Sequence, residues 1–112
     1  MRSLTIRWSL ADAPDGVEDE LAAFVAGTSH ARFTGMPGLR YKVWRVRPGE
    51  WFEGFYVFTT DADRAEFQRA FVDTMAEAPG TRMIGSLPVT VEESEVVAVA
   101  EGWDGFLPAA RA

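Results

Sequence analysis

Two stretches, residues 39–47 (Leu-Arg-Tyr-Lys-Val-Trp-Arg-Val-Arg) and 51–59 (Trp-Phe-Glu-Gly-Phe-Tyr-Val-Phe-Thr), carry large apolar side chains at both odd and even positions. Their aromatic and β-branched content marks them as strands. Between them, Arg47-Pro48-Gly49-Glu50 puts proline and glycine in the central positions of a type II turn, so the two strands form a hairpin. Side chains alternate between the faces of a sheet. A hairpin apolar at both parities therefore needs cover on both faces: Tyr41 and Val43 on one parity oppose Trp44 and Val46, and Phe52, Tyr56 and Phe58 oppose Phe55 and Val57.

The remaining elements fall around this hairpin. Leu4, Ile6, Trp8 and Leu10 alternate with Thr5, Arg7 and Ser9, the period of a half-buried strand. Asp12-Ala-Pro-Asp-Gly16 breaks that pattern, and Asp15 with Glu18 three residues later reads as a helix cap. Val17, Leu21, Phe24, Val25 and Thr28 then form one stripe of a helix that ends before Thr34-Gly-Met-Pro-Gly38. After the hairpin, Thr60-x-x-Asp63 opens a second helix with Phe67, Ala70, Phe71, Thr74, Met75 and Ala78 at helical spacing, and Pro79-Gly80 is expected to end it. Pro88 argues against a regular helix in residues 81–93, and Glu95-Val-Val-Ala-Val-Ala-Glu101 is expected to be the last strand. A tail from Gly102 carries Trp103, Phe106 and Leu107.

The order β-α-β-β-α-β is the ferredoxin-like α+β arrangement, a four-stranded antiparallel sheet with both helices on one face. The other face stays open and apolar, and an exposed patch of that kind marks association or a ligand site. Face-to-face pairing with a second copy is the expected solution, giving a homodimer. At 112 residues the chain has the length of one domain, and 47% apolar with 25% charged residues is globular composition.

A formal charge of −6 disfavours nucleic acid and anionic membranes as partners, and no stretch is long and apolar enough to span a bilayer. Ten of the eleven basic residues are arginine, a bias of GC-rich bacterial genomes. With no cysteine the chain suits a reducing compartment, and the cytoplasm is the expected location. A single histidine and no cysteine argue against a multi-histidine or thiolate metal site, leaving only oxygen ligands open to a metal, and no phosphate-binding glycine loop, dinucleotide fingerprint or nucleophile elbow is present. No cofactor is expected.

The segment Pro37-Gly38-Leu39-Arg40-Tyr41-Lys42-Val43-Trp44, followed by Gly54-Phe55-Tyr56-Val57-Phe58 and a capped helix, resembles the YdhR-like mono-oxygenase family. In that family a Pro-Gly turn leads into an aromatic-Lys-x-Trp strand. The resemblance covers about residues 37–72 and implies a homodimeric α/β barrel enclosing a pocket for a small apolar or aromatic molecule. Glu53 stands where the family usually has a first glycine, and the chain has no asparagine.

Cofactor-independent oxygenases on such a scaffold act on phenols or anthrone-like polycycles whose anion passes an electron to O₂. The protein must bind a flat substrate, accept a proton and stabilise negative charge. Candidates for this chemistry are Arg7 on the first strand, Lys42 on the second, Tyr56 on the third as a hydroxyl donor, and His30, the only histidine, as a base. Trp44, sharing a parity with Lys42, together with Phe55 and Arg82, is expected to contact substrate. The leading expectation is a cofactor-independent mono-oxygenase acting on an aromatic or polyketide-like molecule. The alternatives are a cyclase or isomerase that holds an enolate with the same groups, and a non-catalytic ligand-binding dimer.

Overall fold

The computed structural model describes residues 1–106 and 108, so Leu107 lies outside the described residues. Strands β1 (Arg2–Ser9), β2 (Leu39–Arg47), β3 (Trp51–Phe58) and β4 (Thr90–Glu95) form one antiparallel sheet in the order β2-β3-β1-β4. The α+β, ferredoxin-like architecture is the one expected. The β2–β3 turn closes with Glu50 N–H donating to Arg47 O at 2.9 Å, and Gly49 takes the positive φ of 76° that such a turn demands at its third residue. Leu4, Ile6 and Trp8 of β1 face the helices beside Phe52, Tyr56 and Phe58 of β3, and with Val17, Leu21 and Ile84 they make the core.

The first helix is longer and less regular than its stripe implied. Helix α1 (Val17–Phe24) runs through a π-helical turn at Val25–Ser29 into α2 (His30–Phe33). The His30 N–H reaches back five residues to Val25 O. The wide turn adds one residue and advances the apolar phase by one position. Phe33 is thereby buried, while Arg32 stays exposed. Asp15 does not cap this helix; Gly16 is its N-cap, and Glu18 accepts from Gly49 N–H at 2.9 Å, tying the helix start to the β2–β3 turn.

Helix α3 (Asp61–Thr74) is capped as expected, with Thr60 Oγ1 accepting from Asp63 N–H. The turn before β2 packs on this cap. A Cβ on Gly38, which has φ +83°, would stand 2.7 Å from Asp63 Cγ, so only glycine fits. Arg64, buried on α3, bridges to Asp61 and to Glu93 of β4, joining the helix to the edge strand.

Two expectations need correction. Pro79-Gly80 does not merely end a helix: α3 stops at Thr74, a 3₁₀ turn follows at Met75–Glu77, and Pro79 opens helix α4 (Pro79–Ile84) at its first position. Proline suits that position because its missing N–H has no helical partner there. Trp8 then locks α4 in place, its Nε1–H donating to Thr81 Oγ1 at 3.0 Å. The last strand is Thr90–Glu95, not Glu95–Glu101. The β1–β4 ladder has its final rung at Arg2↔Glu95, and after Val96 N–H bonds to Met1 O the Val-Val-Ala-Val-Ala run has no neighbour to pair with. Val97 is 96% exposed despite its strand-forming character.

Residues 96–106 instead cross the helix-free face of the sheet. They leave from the β4 edge, and Phe106 stacks on Tyr41 of β2, the opposite edge, at 5.7 Å between ring centroids. Val57 and Ser3, which lie between on that face, are buried. Part of the open face is therefore covered from within the same chain.

Candidate functional site

Register decides which side chains meet. On the helix-covered face, Lys42 of β2 stands opposite Tyr56 of β3, and Trp44 opposite Gly54. Between this surface and the helices lies a cavity of about 490 Å³, within the range typical of small-molecule sites. Phe33 from α2, Phe67 and Phe71 from α3, and Trp8, Trp44 and Phe52 from the sheet make its aromatic walls. The exposed residues Thr28, Arg32, Thr74 and Glu77 lie at its open side. The π-helical turn supplies Val25, Thr28 and Ser29 to the lining, so the irregularity in the first helix is at the site itself.

Lys42 is the only lysine in the chain. Its ammonium nitrogen lies 3.6 Å from the centroid of the Phe33 ring, 4.3 Å from Tyr56 and 4.5 Å from Trp44. Among the described residues, no hydrogen bond or ion pair engages Lys42 Nζ or the Tyr56 hydroxyl. Burial lowers the pKa of the amine from 10.5 to about 6, and like-charge repulsion from Arg32 acts in the same direction. The three ring faces oppose this by favouring the ammonium. Burial raises the Tyr56 pKa despite the opposing pull of Arg32, which keeps the hydroxyl protonated and able to donate. Gly54 makes room for both groups. A Cβ there would stand 3.3 Å from Lys42 Cε and 3.3 Å from Tyr56 Oη.

The structure brings Lys42, Trp44 and Tyr56 together and places the other candidates elsewhere. Arg7 lies on the helix-free face, where its guanidinium donates to Glu53 Oε1 from Nε at 3.0 Å and from Nη2 at 2.8 Å. Phe55 points to that same face, opposite Thr5 and Val43, and away from the cavity. His30 lines a separate hollow of about 250 Å³, divided from the main cavity by Phe33, Lys42 and Trp44. Arg82 is exposed on the last turn of α4 and does not line the cavity.

The sequence reading did not anticipate Glu53 as a structural centre. It is 1% exposed, yet carries a charge held between Arg7 of β1 and Arg45 of β2, both of which also lie over the Trp51 ring. Burial alone would raise its pKa, but hydrogen bonds and charge from the two arginines outweigh burial and hold it below the ordinary carboxylate range. The signal was a glutamate within an otherwise apolar strand, and the register of the hairpin in the structure sets it opposite Arg45.

Among the described residues there is no group of three or more histidine, cysteine or carboxylate residues placed to hold a metal ion, and no helix long and apolar enough to cross a membrane. No protein-family model matches the chain, and no curated protein matches it significantly. Among solved structures, the crystal structure of NE2512, a protein of unknown function from Nitrosomonas europaea, superposes with a TM-score of 0.67. The two are 22% identical over 97% of this chain and 95% of that chain, a likeness of fold.

Proposed function

We propose that this chain is a cofactor-independent mono-oxygenase of YdhR-like type, acting on a flat aromatic or polyketide-like molecule bound in the cavity. One observation carries the reading. The sole lysine is set among aromatic rings, one of them the Tyr56 ring, and among the described residues no carboxylate holds it as an ion. Lys42-x-Trp44 and Gly54-x-Tyr56, which carry the family resemblance, lie on the strands that build this floor, and the Pro37-Gly38 turn leads into the first of them.

In the proposed reaction, neutral Lys42 takes a proton from the acidic methylene or hydroxyl of the substrate, while the Tyr56 hydroxyl hydrogen-bonds the oxygen on which negative charge develops. The substrate anion reduces O₂ directly. Where a methylene becomes a carbonyl, the carbon gives up four electrons and two hydrogens, one oxygen atom enters the product and the other leaves as water. No external reductant is consumed.

Oxygen uptake with a panel of anthrones and quinols, using protein freed of metal and flavin, tests the reading. Wild-type protein is expected to turn over, with kcat/KM rising through pH 6 as the amine loses its proton. Lys42→Met is expected to lose about 100-fold or more. Tyr56→Phe should lose about 100-fold. Absence of turnover across the panel would reject it. The lysine–tyrosine pair also suits a cyclase or isomerase, because a neutral amine beside a hydroxyl donor is what enolisation requires. Product formed without oxygen would select that reading.

We also propose that the uncovered part of the helix-free face pairs with a second copy. Val43 is 39% exposed there, with Phe55 and Trp51 half-buried beside it. Sedimentation at micromolar concentration should give twice the chain mass; a stable monomer would remove the homodimer from the account.

A further inference from the structure

Of the eleven lysine and arginine side chains of this molecule ten are arginine, and the one lysine stands inside the cavity. The difference between the two is chemical. A guanidinium keeps its charge in proteins and offers no free electron pair, whereas an amine removed from water can shed its proton and attack an electrophile. We propose that Lys42 Nζ is a nucleophile that captures flat aromatic or conjugated aldehydes and ketones in the cavity as an imine. This goes beyond the oxygenase reading and does not rest on it, since neither O₂ nor an acidic methylene takes part.

The geometry supports the capture in three ways. The cavity has room for a one- or two-ring carbonyl compound, and its walls are aromatic. Lys42 Nζ has no hydrogen-bonding or ionic partner among the described residues, so no ion pair must be broken before attack. The Tyr56 hydroxyl and Lys42 Cε flank the position a Cβ on Gly54 would take, each 3.3 Å from it, so a proton donor lies on the same side of the cavity as the lysine side chain.

The step balances. The amine electron pair forms a C–N bond to the carbonyl carbon and the C=O π bond breaks, with a proton passing from nitrogen to oxygen to give a carbinolamine. Tyr56 then donates a proton to the hydroxyl as the C–O bond breaks. Water leaves, and the proton released from nitrogen returns to the tyrosine. A carbonyl compound and the amine give an imine and one water.

The charged and titratable groups around the amine are few. Arg32 approaches from α2 and opposes a cationic amine, and Tyr56 faces it from β3. Glu77 lies at the open side of the cavity, and His30 stands beyond Trp44, 6.2 Å from that ring. Burial lowers the pKa of the amine to about 6, so its electron pair is free at neutral pH.

The test uses the 112-residue protein, cinnamaldehyde as the carbonyl probe and cyanoborohydride to reduce any imine, with the adduct located by intact mass and peptide mapping. Because Lys42 is the only lysine, any other amine adduct must be on the α-amino group. The expected result is one adduct at Lys42, forming faster in the folded than in the urea-unfolded chain at neutral pH, with the rate half-maximal near pH 6. Lys42→Met should form none there while remaining folded, with a melting temperature no lower than that of the wild type. Tyr56→Phe should form it about 100-fold more slowly. Labelling only at the α-amino group, or labelling of Lys42 no faster folded than unfolded, would overturn the proposal. Oxygen uptake without an adduct would retain the oxygenase and reject imine capture; an adduct without oxygen uptake would do the reverse.

Discussion

Replacing Arg7 and Arg45 together by methionine is expected to destabilise the fold by about 3–5 kcal/mol, because it strands a buried carboxylate without a cation. Glu53 is 1% exposed, receives both Arg7 hydrogen bonds on Oε1 and is bonded by Arg45 on Oε2. Removing Glu53 instead is expected to cost less. The two arginines are 35% and 56% exposed and can turn their charge toward water, which the carboxylate cannot do. The pH dependence has a definite sign. The Glu53 carboxyl is held lower in the folded than in the unfolded chain, so its contribution is complete above the unfolded value and is lost as pH falls through the folded value. Urea denaturation should therefore show the full gap between wild type and the double variant at neutral pH and a smaller gap in acid. A gap below about 1 kcal/mol at neutral pH would mean that Glu53 is solvated.

The second large effect has the opposite direction. Lys42→Met is expected to stabilise the protein by about 1–4 kcal/mol at pH 6 and below while abolishing the chemistry proposed for the cavity. The amine has a pKa of about 6 when folded and 10.5 otherwise. Between those values the unfolded chain holds a proton that the folded chain has released, so wild-type stability rises with pH, at most by about 1.4 kcal/mol per unit. The advantage of methionine is thus largest at or below pH 6 and shrinks above it. Equilibrium unfolding of both proteins across that range checks the trend. A difference that does not vary with pH would show that Lys42 remains in water.

Particular residues show how much of this was written in the chain. Counting outward from a two-residue Pro48-Gly49 turn would pair Trp44 with Glu53 and Lys42 with Phe55. In the structure Glu50 stays in the loop and Arg47 pairs with Trp51, which shifts the register by one and sets Trp44 opposite Gly54 and Lys42 opposite Tyr56. The strands of the cavity floor were legible from the hairpin; their register was not. The pairing of Arg45 with Glu53 depends on that same shift, and the third member, Arg7, arrives through the non-local β1–β3 register, which no local pattern specifies. Phe33 escaped the helical stripe because the π-helical turn adds a residue that a constant period of 3.6 does not allow for. The Val96–Ala100 run has strand composition, yet a strand needs a neighbour, and β1 offers none beyond Arg2. Arg7 and Phe55 were placed near the ligand because their types suit it; parity sends both to the far face.

The one lysine of this chain is held out of water in an aromatic cavity. Because there is one, labelling lysine with ¹³C at Cε gives a single reporter, and its chemical shift can be followed across pH by NMR. The titration midpoint is expected near pH 6 and is expected to move when an aromatic ligand occupies the cavity. A midpoint near 10.5, indifferent to ligand, would contradict it.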